Sequence, residues 1–75
     1  MRVEMINVIY DDDGNEIREQ DFAVVQTTDV QDPSLAIINE IAATYVDLTF
    51  IDVLLGNTPR KYRIKEIQSM HKMQK

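Results

Sequence analysis

The longest apolar stretch, residues 32–55, most constrains what this chain can fold into, because any fold has to bury it. It reads DPSLAIINEIAATYVDLTFIDVLL. Asp32 followed by Pro33 is typical of a helix start, since the Asp side chain can accept a first-turn N–H bond and Pro has no donor to leave unsatisfied. Apolar side chains then recur at helical spacing, at Leu35, Ile38, Ile41, Ala42 and Tyr45. We therefore predict a helix over 33–46.

The helical pattern breaks in the second part of this stretch. Thr49 and Asp52 would lie on the apolar face if the helix continued. Residues 49–55 are rich in β-branched and aromatic side chains, which favours a strand there. The alternative is one helix over 33–55 that ends at Gly56, because short apolar runs are ambiguous by pattern alone.

The N-terminal part of the chain has the pattern of a β-hairpin. Residues 2–10 are apolar on both faces, which predicts a strand covered by the helix on one side and by a second subunit on the other. The sequence DDDGN at 11–15 favours a tight turn, because Gly and Asn accept positive φ angles. Residues 16–27 then form the returning strand, and a polar connection leads to the helix.

The C-terminal part begins with the turn sequence GNTP at 56–59. The following residues predict a fourth strand with a bulge near Glu66, and the alternative is a basic amphipathic helix over 63–74. We expect one domain over 1–70 and a frayed tail over 71–75. The predicted fold is α+β: a small, mainly antiparallel sheet in the order ββαββ with one helix packed on a face.

Composition limits the kind of protein this is. Seventy-five residues form one domain, and a domain of this size buries little surface, so a homodimer would add stability. The chain has no Cys, which excludes disulfides and zinc sites that use Cys. No apolar run is long enough for a membrane span, and the N-terminus lacks the features of a signal peptide. We expect a cytoplasmic protein that does not enter a membrane.

Charge is divided unevenly along the chain. Residues 1–57 contain twelve Asp and Glu against two Arg, whereas residues 58–75 contain six Lys and Arg against one Glu. The two parts therefore carry net charges of −10 and +5. The negative charge of residues 1–57 disfavours nonspecific binding to nucleic acid. A basic partner could bind residues 1–57, and an acidic partner could bind the C-terminal segment.

Two features resemble ligand-binding motifs but lack the spacing that those motifs require. The run DDDGNE resembles a calcium loop, yet the first and last ligand positions of an EF-hand would be Ile9 and Gln20. The two glycines, Gly14 and Gly56, are too far apart to form a phosphate-binding loop. The sequence predicts no metal and no cofactor.

Catalytic groups are also sparse. His71 is the single His, and the nearest carboxylate in sequence is that of Glu66. Ser34 and Ser69 do not form a triad pattern with it. Asp47 and Asp52 flank the apolar stretch as a potential acid–base pair, but the first is better explained as the exposed end of the helix. We therefore do not expect an enzyme.

The first hairpin concentrates acidic side chains, and these are the first candidate contact for another protein. They are Asp11, Asp12, Asp13, Glu16, Glu19 and Asp21. In size and charge the chain resembles small acidic proteins that imitate a DNA backbone, and this resemblance implies an inhibitor of a nucleic-acid-binding protein. The simpler interpretation is a solvated hairpin that aids solubility.

The basic segment is the second candidate contact. It contains Arg60, Lys61, Tyr62, Arg63 and Lys65. In a nucleic-acid-binding surface, the cations would contact phosphates and Tyr62 would stack on a base. Alternatively, these residues form an edge strand whose positive charges prevent pairing with another copy.

We predict a small acidic, non-catalytic protein-interaction module that inhibits or regulates another protein. The alternatives are a nucleic-acid-binding accessory protein that uses residues 60–65 and a structural subunit of a larger assembly.

Overall fold

The protein is nearly all β in a computed structural model that describes residues 2–3, 7–52, 54 and 56–73. The described residues form two antiparallel sheets, with the strand orders β1-β2-β3 and β7-β6-β5-β4-β8. A 3₁₀ turn, Ile64–Glu66, joins the last two strands. The strands are β1 (Arg2–Val3), β2 (Val8–Tyr10), β3 (Glu16–Arg18), β4 (Phe22–Thr27), β5 (Ser34–Ile41), β6 (Tyr45–Phe50), β7 (Arg60–Arg63) and β8 (Ile67–Lys72).

The predicted α+β fold in the order ββαββ is wrong, because the segment predicted as a helix is a β-hairpin. Residues 33–46 contain β5, a short turn and the start of β6. The single helix over 33–55 is wrong for the same reason. The strand predicted over 49–55 is displaced, since β6 ends at Phe50, and residues 53 and 55 lie outside the described residues.

A β-bulge explains why β5 has helical spacing in its sequence. Ile38 pairs with Leu48, but the next pair is Glu40 with Asp47, so Asn39 is an extra residue in the ladder. The bulge lets Ile38 and Ile41, three residues apart, both enter the core. In a helix the same spacing would place them on one face.

A β-bulge also explains the helical spacing in β8. Its register against β4 shifts between Gln26 and Thr27, and Ile67 and Met70 both lie in the core at a spacing of three. The amphipathic helix over 63–74 is therefore also wrong. The single strand with a bulge near Glu66 is wrong in detail, because β7 and β8 are separate strands at the two ends of the sheet. Residues 74–75 of the predicted tail lie outside the described residues.

The first hairpin is confirmed, but each of its predicted strands is divided. β2 and β3 pair across the turn at 11–15, where Gly14 has φ +83°. The returning strand breaks at Gln20, whose φ is +78°, before β4 begins. The amide of Gln20 donates to the carbonyl of Ile38 at 2.6 Å, which ties the end of the small sheet to β5. Residues 4–6 of the predicted first strand lie outside the described residues.

The five-stranded sheet has to curl. In a flat sheet β7 and β8 would be about 19 Å apart, from four strand spacings of about 4.8 Å. The chain between Arg63 and Ile67 spans at most about 14 Å. Arg60 and Tyr62 of β7 both bind the carboxylate of Asp29, just after β4, at 3.1 and 3.0 Å, so β7 does come round towards the β4–β8 end of the sheet. The result is a partly closed barrel.

The core lies inside this curl and beneath the small sheet. Alternate residues of β4 and β6 point inward, as expected for a sheet with one covered face. Phe50 and Tyr62 meet edge to face inside it, with ring centroids 6.3 Å apart. The buried apolar residues are Ile9, Ile17, Ala23, Val25, Ala36, Ile38, Ile41, Val46, Leu48, Phe50, Tyr62, Ile67 and Met70.

Candidate binding surface

A shallow groove of about 610 Å³ lies where β6, β7 and the 3₁₀ turn meet. Tyr45 and Arg63 face each other across the β6–β7 ladder. Lys61 lies two residues before Arg63 in β7, on the same face of the sheet. We call this feature the basic groove. It is lined by Thr44, Tyr45, Lys61, Arg63, Ile64, Lys65 and Glu66.

The basic groove combines an apolar floor with positive charge at its rim. Nζ of Lys61 lies 5.0 Å from the centre of the Tyr45 ring, a cation–π distance. Lys61, Arg63 and Lys65 are exposed, so three cations surround the floor. The carboxylate of Glu66 accepts the backbone N–H of Arg63 at 2.8 Å and so holds the 3₁₀ turn beside the strand.

The Tyr45 hydroxyl anchors the edge of the groove. It donates to the carboxylate of Glu40 at 3.0 Å. This hydrogen bond raises the pKa of Tyr45. The phenol therefore stays protonated at neutral pH and remains a donor.

Two members of the predicted basic segment do not face the groove. Arg60 and Tyr62 point to the opposite side of β7, where both bind the carboxylate of Asp29, at 3.1 and 3.0 Å. Burial and this carboxylate raise the pKa of Tyr62. Burial acts to raise the pKa of Asp29 too, but hydrogen bonds from Thr27 and Tyr62 outweigh it and the net pKa is lowered. The structure thus separates Lys61, Arg63 and Lys65 from Arg60 and Tyr62.

The acidic turn of the first hairpin is fastened to β8. Asp11 is 4% exposed, and its carboxylate accepts backbone N–H groups from Asp13, Asn15 and Lys72 at 2.9, 2.7 and 2.7 Å. Burial raises its pKa, but the hydrogen bonds from Lys72 and Asn15 outweigh burial, so the pKa lies below the ordinary Asp value. Because these donors occupy the carboxylate of Asp11, it is not available as a calcium ligand, which argues against a calcium loop.

Asp12 and Asp13 extend this contact. Oδ2 of Asp12 accepts the backbone N–H of Met70 at 3.2 Å. Nδ1 of His71 lies 2.7 Å from Oδ2 of Asp13 and Nε2 lies 3.9 Å from Asp12. The hydrogen bond to Asp13 raises the pKa of His71. His71 is therefore part of a hydrogen-bonded contact between the turn and β8.

The remaining acidic residues of the hairpin also have partners. Glu16 pairs with Arg18 at 2.8 Å. Glu19 accepts the backbone N–H of Ile41 at 3.0 Å, and Asp21 accepts that of Arg18 at 2.9 Å. All six predicted acidic contacts thus lie beside intramolecular donors, and the hairpin packs along the barrel instead of projecting from it.

The other catalytic candidates lie apart. Asp47 accepts the side-chain amide of Asn39 at 3.1 Å, and Asp52 accepts the N–H of Leu54 at 2.8 Å. Ser34 donates to the carbonyl of Asp32 at 3.1 Å. Among the described residues, no group of three or more His, Asp or Glu is placed to hold a metal ion.

Sequence reasoning missed Tyr45 and Ile64 in the groove and Asp13 as the partner of His71. Tyr45 lies in the stretch whose spacing predicts a helix, and a helix does not pair with Arg63. Asp13 and His71 are 58 residues apart, and no local pattern connects them.

Searches against protein-family models, curated proteins and solved structures give no match to this chain. In the described part of the chain, no helix has both the length and the apolar character that a membrane crossing requires.

Proposed function

We propose that this protein is a non-catalytic interaction module whose basic groove binds an acidic segment of a partner protein. The observation that carries the proposal is the convergence of Lys61, Arg63 and Lys65 around the Tyr45 ring in one groove. Side chains of opposite charge would meet the cations at the rim, and an apolar side chain of the partner would cover the floor.

A protein segment fits this surface better than a long polyanion does. The whole chain carries a net charge of −5, and the carboxylates of Glu40 and Asp47 lie close to Tyr45 and Lys61. A nucleic acid extends beyond the groove and is repelled by the acidic body, whereas a short segment interacts with the local cations. One side of the Tyr45 ring already carries Lys61, which leaves less of it for base stacking.

The acidic hairpin stays a prediction as a contact surface. Its carboxylates already accept hydrogen bonds from β8 within the molecule. An inhibitor that imitates DNA through this hairpin therefore has less support than a binding module that uses the basic groove. The proposal keeps the cytoplasmic location expected from the sequence.

The test uses a short fluorescent peptide rich in Glu and Leu. Replacing Lys61 and Lys65 with Gln removes two cations from the groove and should weaken peptide binding about tenfold, or about 1.4 kcal/mol. The matched control replaces Arg18 and Lys72 with Gln, which changes the net charge equally but leaves the groove intact. Its affinity should stay within about twofold of the parent protein.

An equal loss in both variants would mean that net charge alone attracts the peptide, and the groove would be rejected. A parallel titration with oligothymidine of similar length tests the nucleic-acid alternative. If the oligonucleotide binds more tightly than the peptide, with a steep fall in affinity as salt increases, that alternative replaces the proposal.

A further inference from the structure

Two surfaces of opposite charge lie at the two ends of β8. The basic groove is lined by Ile64–Glu66, immediately before β8 begins at Ile67. The acidic turn, residues 11–15, is attached near the other end through Met70, His71 and Lys72. The four residue steps from Ile67 to His71 correspond to about 13 Å in an extended strand. The 3₁₀ side of the groove and the acidic turn therefore lie near opposite ends of β8.

From this arrangement we propose that the acidic segment bound by the basic groove belongs to a second copy of this chain. A two-fold axis that crosses β8 near Ser69 places the acidic turn of each copy at the basic groove of the other. One interface then contains the same charge contact twice, which is the property of an isologous dimer. This inference rests on the proposed function, since it identifies the partner of the same groove.

The carboxylates of the turn have capacity for a further contact. A carboxylate offers about four acceptor positions, and intramolecular donors occupy part of them. The side chain of Asp13 is 60% exposed and that of Asp12 is 34% exposed. Asp13 can therefore accept from a Lys of a second copy while it keeps His71 as a partner.

Charge complementarity favours a second copy over an unrelated partner. The cations of Lys61, Arg63 and Lys65 and the carboxylates of Asp12 and Asp13 are present on every copy, in surfaces that lie near opposite ends of β8. Local contacts at about 4 Å outweigh the repulsion between two acidic bodies, because net repulsion is screened beyond a Debye length of about 8 Å at physiological salt. Such a dimer also adds buried area to a domain too small to bury much by itself.

The test is the mass in solution by sedimentation equilibrium at moderate salt. We expect the protein to approach twice its monomer mass as concentration rises. The variant K61E/K65E has an acidic groove and an acidic turn, and the variant D13K has a basic groove and a less acidic turn. Each variant alone should dissociate at least about tenfold more readily than the parent protein.

Mixing the two variants keeps the test independent of folding. In a mixed pair, the acidic groove of K61E/K65E faces the turn of the D13K copy, which carries the introduced cation, and its own acidic turn faces an intact basic groove. We expect the mixture to form a heterodimer more tightly than either variant forms a homodimer. A parent protein that stays monomeric at every concentration, or a dimer unaffected by K61E/K65E, would overturn the inference.

Failure of the dimer and failure of the proposed function give different results. The variant D13K retains the groove, so it can be titrated with the acidic peptide in the absence of a competing second copy. Peptide binding by a monomeric parent protein would reject the dimer and keep the proposed function. A monomeric protein that binds no peptide would reject both.

Discussion

The carboxylate of Asp11 accepts the backbone N–H of Lys72 at 2.7 Å, although the two residues are 61 positions apart. β8 lies at the end of the five-stranded sheet, where an outward N–H would otherwise face water or another strand. Asp11 therefore attaches the small sheet to the barrel and caps the edge of β8 at this point.

Replacing Asp11 with Asn should lower the free energy of unfolding by about 2–3 kcal/mol. The side chain keeps its shape, but one oxygen becomes an NH₂ group that meets backbone donors, and the charge-assisted bonds to Lys72, Asn15 and Asp13 weaken. Urea unfolding measures the loss. Asp32→Asn is the matched control at an exposed position and should change stability by less than about 0.5 kcal/mol. Equal losses in the two variants would contradict the role of Asp11.

The same carboxylate should make the protein sensitive to acid. A group whose pKa is lowered on folding contributes stability above its unfolded pKa of about 3.9, and this contribution is lost as pH falls through the folded pKa. The pKa of Asp11 and that of Asp29 are both lowered. Unfolding midpoints should therefore fall steeply below about pH 4. In the Asp11→Asn variant the fall should be shallower, and an unchanged slope would show that other carboxylates dominate.

His71 should titrate above its ordinary pKa because Asp13 hydrogen-bonds to it. A raised folded pKa gives stability that is complete below the unfolded pKa of about 6.5 and is lost as pH rises through the folded value. The chain has one His, so its ring protons can be followed by NMR without assignment of others. Asp13→Asn should lower the pKa of His71, and Asp32→Asn should leave it unchanged. A pKa insensitive to Asp13→Asn would rule out this contact.

Tyr62→Phe should destabilise the protein by about 1–2 kcal/mol. Tyr62 is 5% exposed, and its hydroxyl donates to Asp29 at 3.0 Å in a half-buried site. Removal of the donor leaves a partly buried carboxylate with fewer partners. Tyr45→Phe is the control, because its hydroxyl bond to Glu40 is exposed, and it should leave the stability almost unchanged. Thermal or urea unfolding of the two variants provides the comparison.

Neighbouring residues of β5 should respond very differently to truncation. Ile38→Ala removes a fully buried side chain and should cost about 2–4 kcal/mol. Ile37 lies on the outer face beside Thr49 and is half-buried, so Ile37→Ala should cost less than half as much. Urea unfolding of both variants tests the alternation. Similar costs would be inconsistent with a strand that has one buried face.

The turn at 11–15 could be predicted because its cause is local. Gly14 has the positive φ of a hairpin turn, and neighbouring residues supply the first bonds of Asp11. The basic character of residues 60–65 was equally visible. The division of that segment into Lys61, Arg63 and Lys65 on one face and Arg60 and Tyr62 on the other depends on the pairing with β6, which no local pattern encodes.

The sequence by itself determined the hairpin turn and the uneven charge, but not which apolar residues are buried, since Ile51 and Leu54 of the apolar stretch are exposed. The tertiary structure alone decided that residues 33–46 form part of a β-hairpin instead of a helix. Helical spacing is found in two pairs of core residues, Ile38 with Ile41 and Ile67 with Met70. Pairing with neighbouring strands creates the bulges that bring each pair to one face of the sheet. Strand pairing and bulges are contacts between distant parts of the chain, so their energy is absent from any short window of sequence.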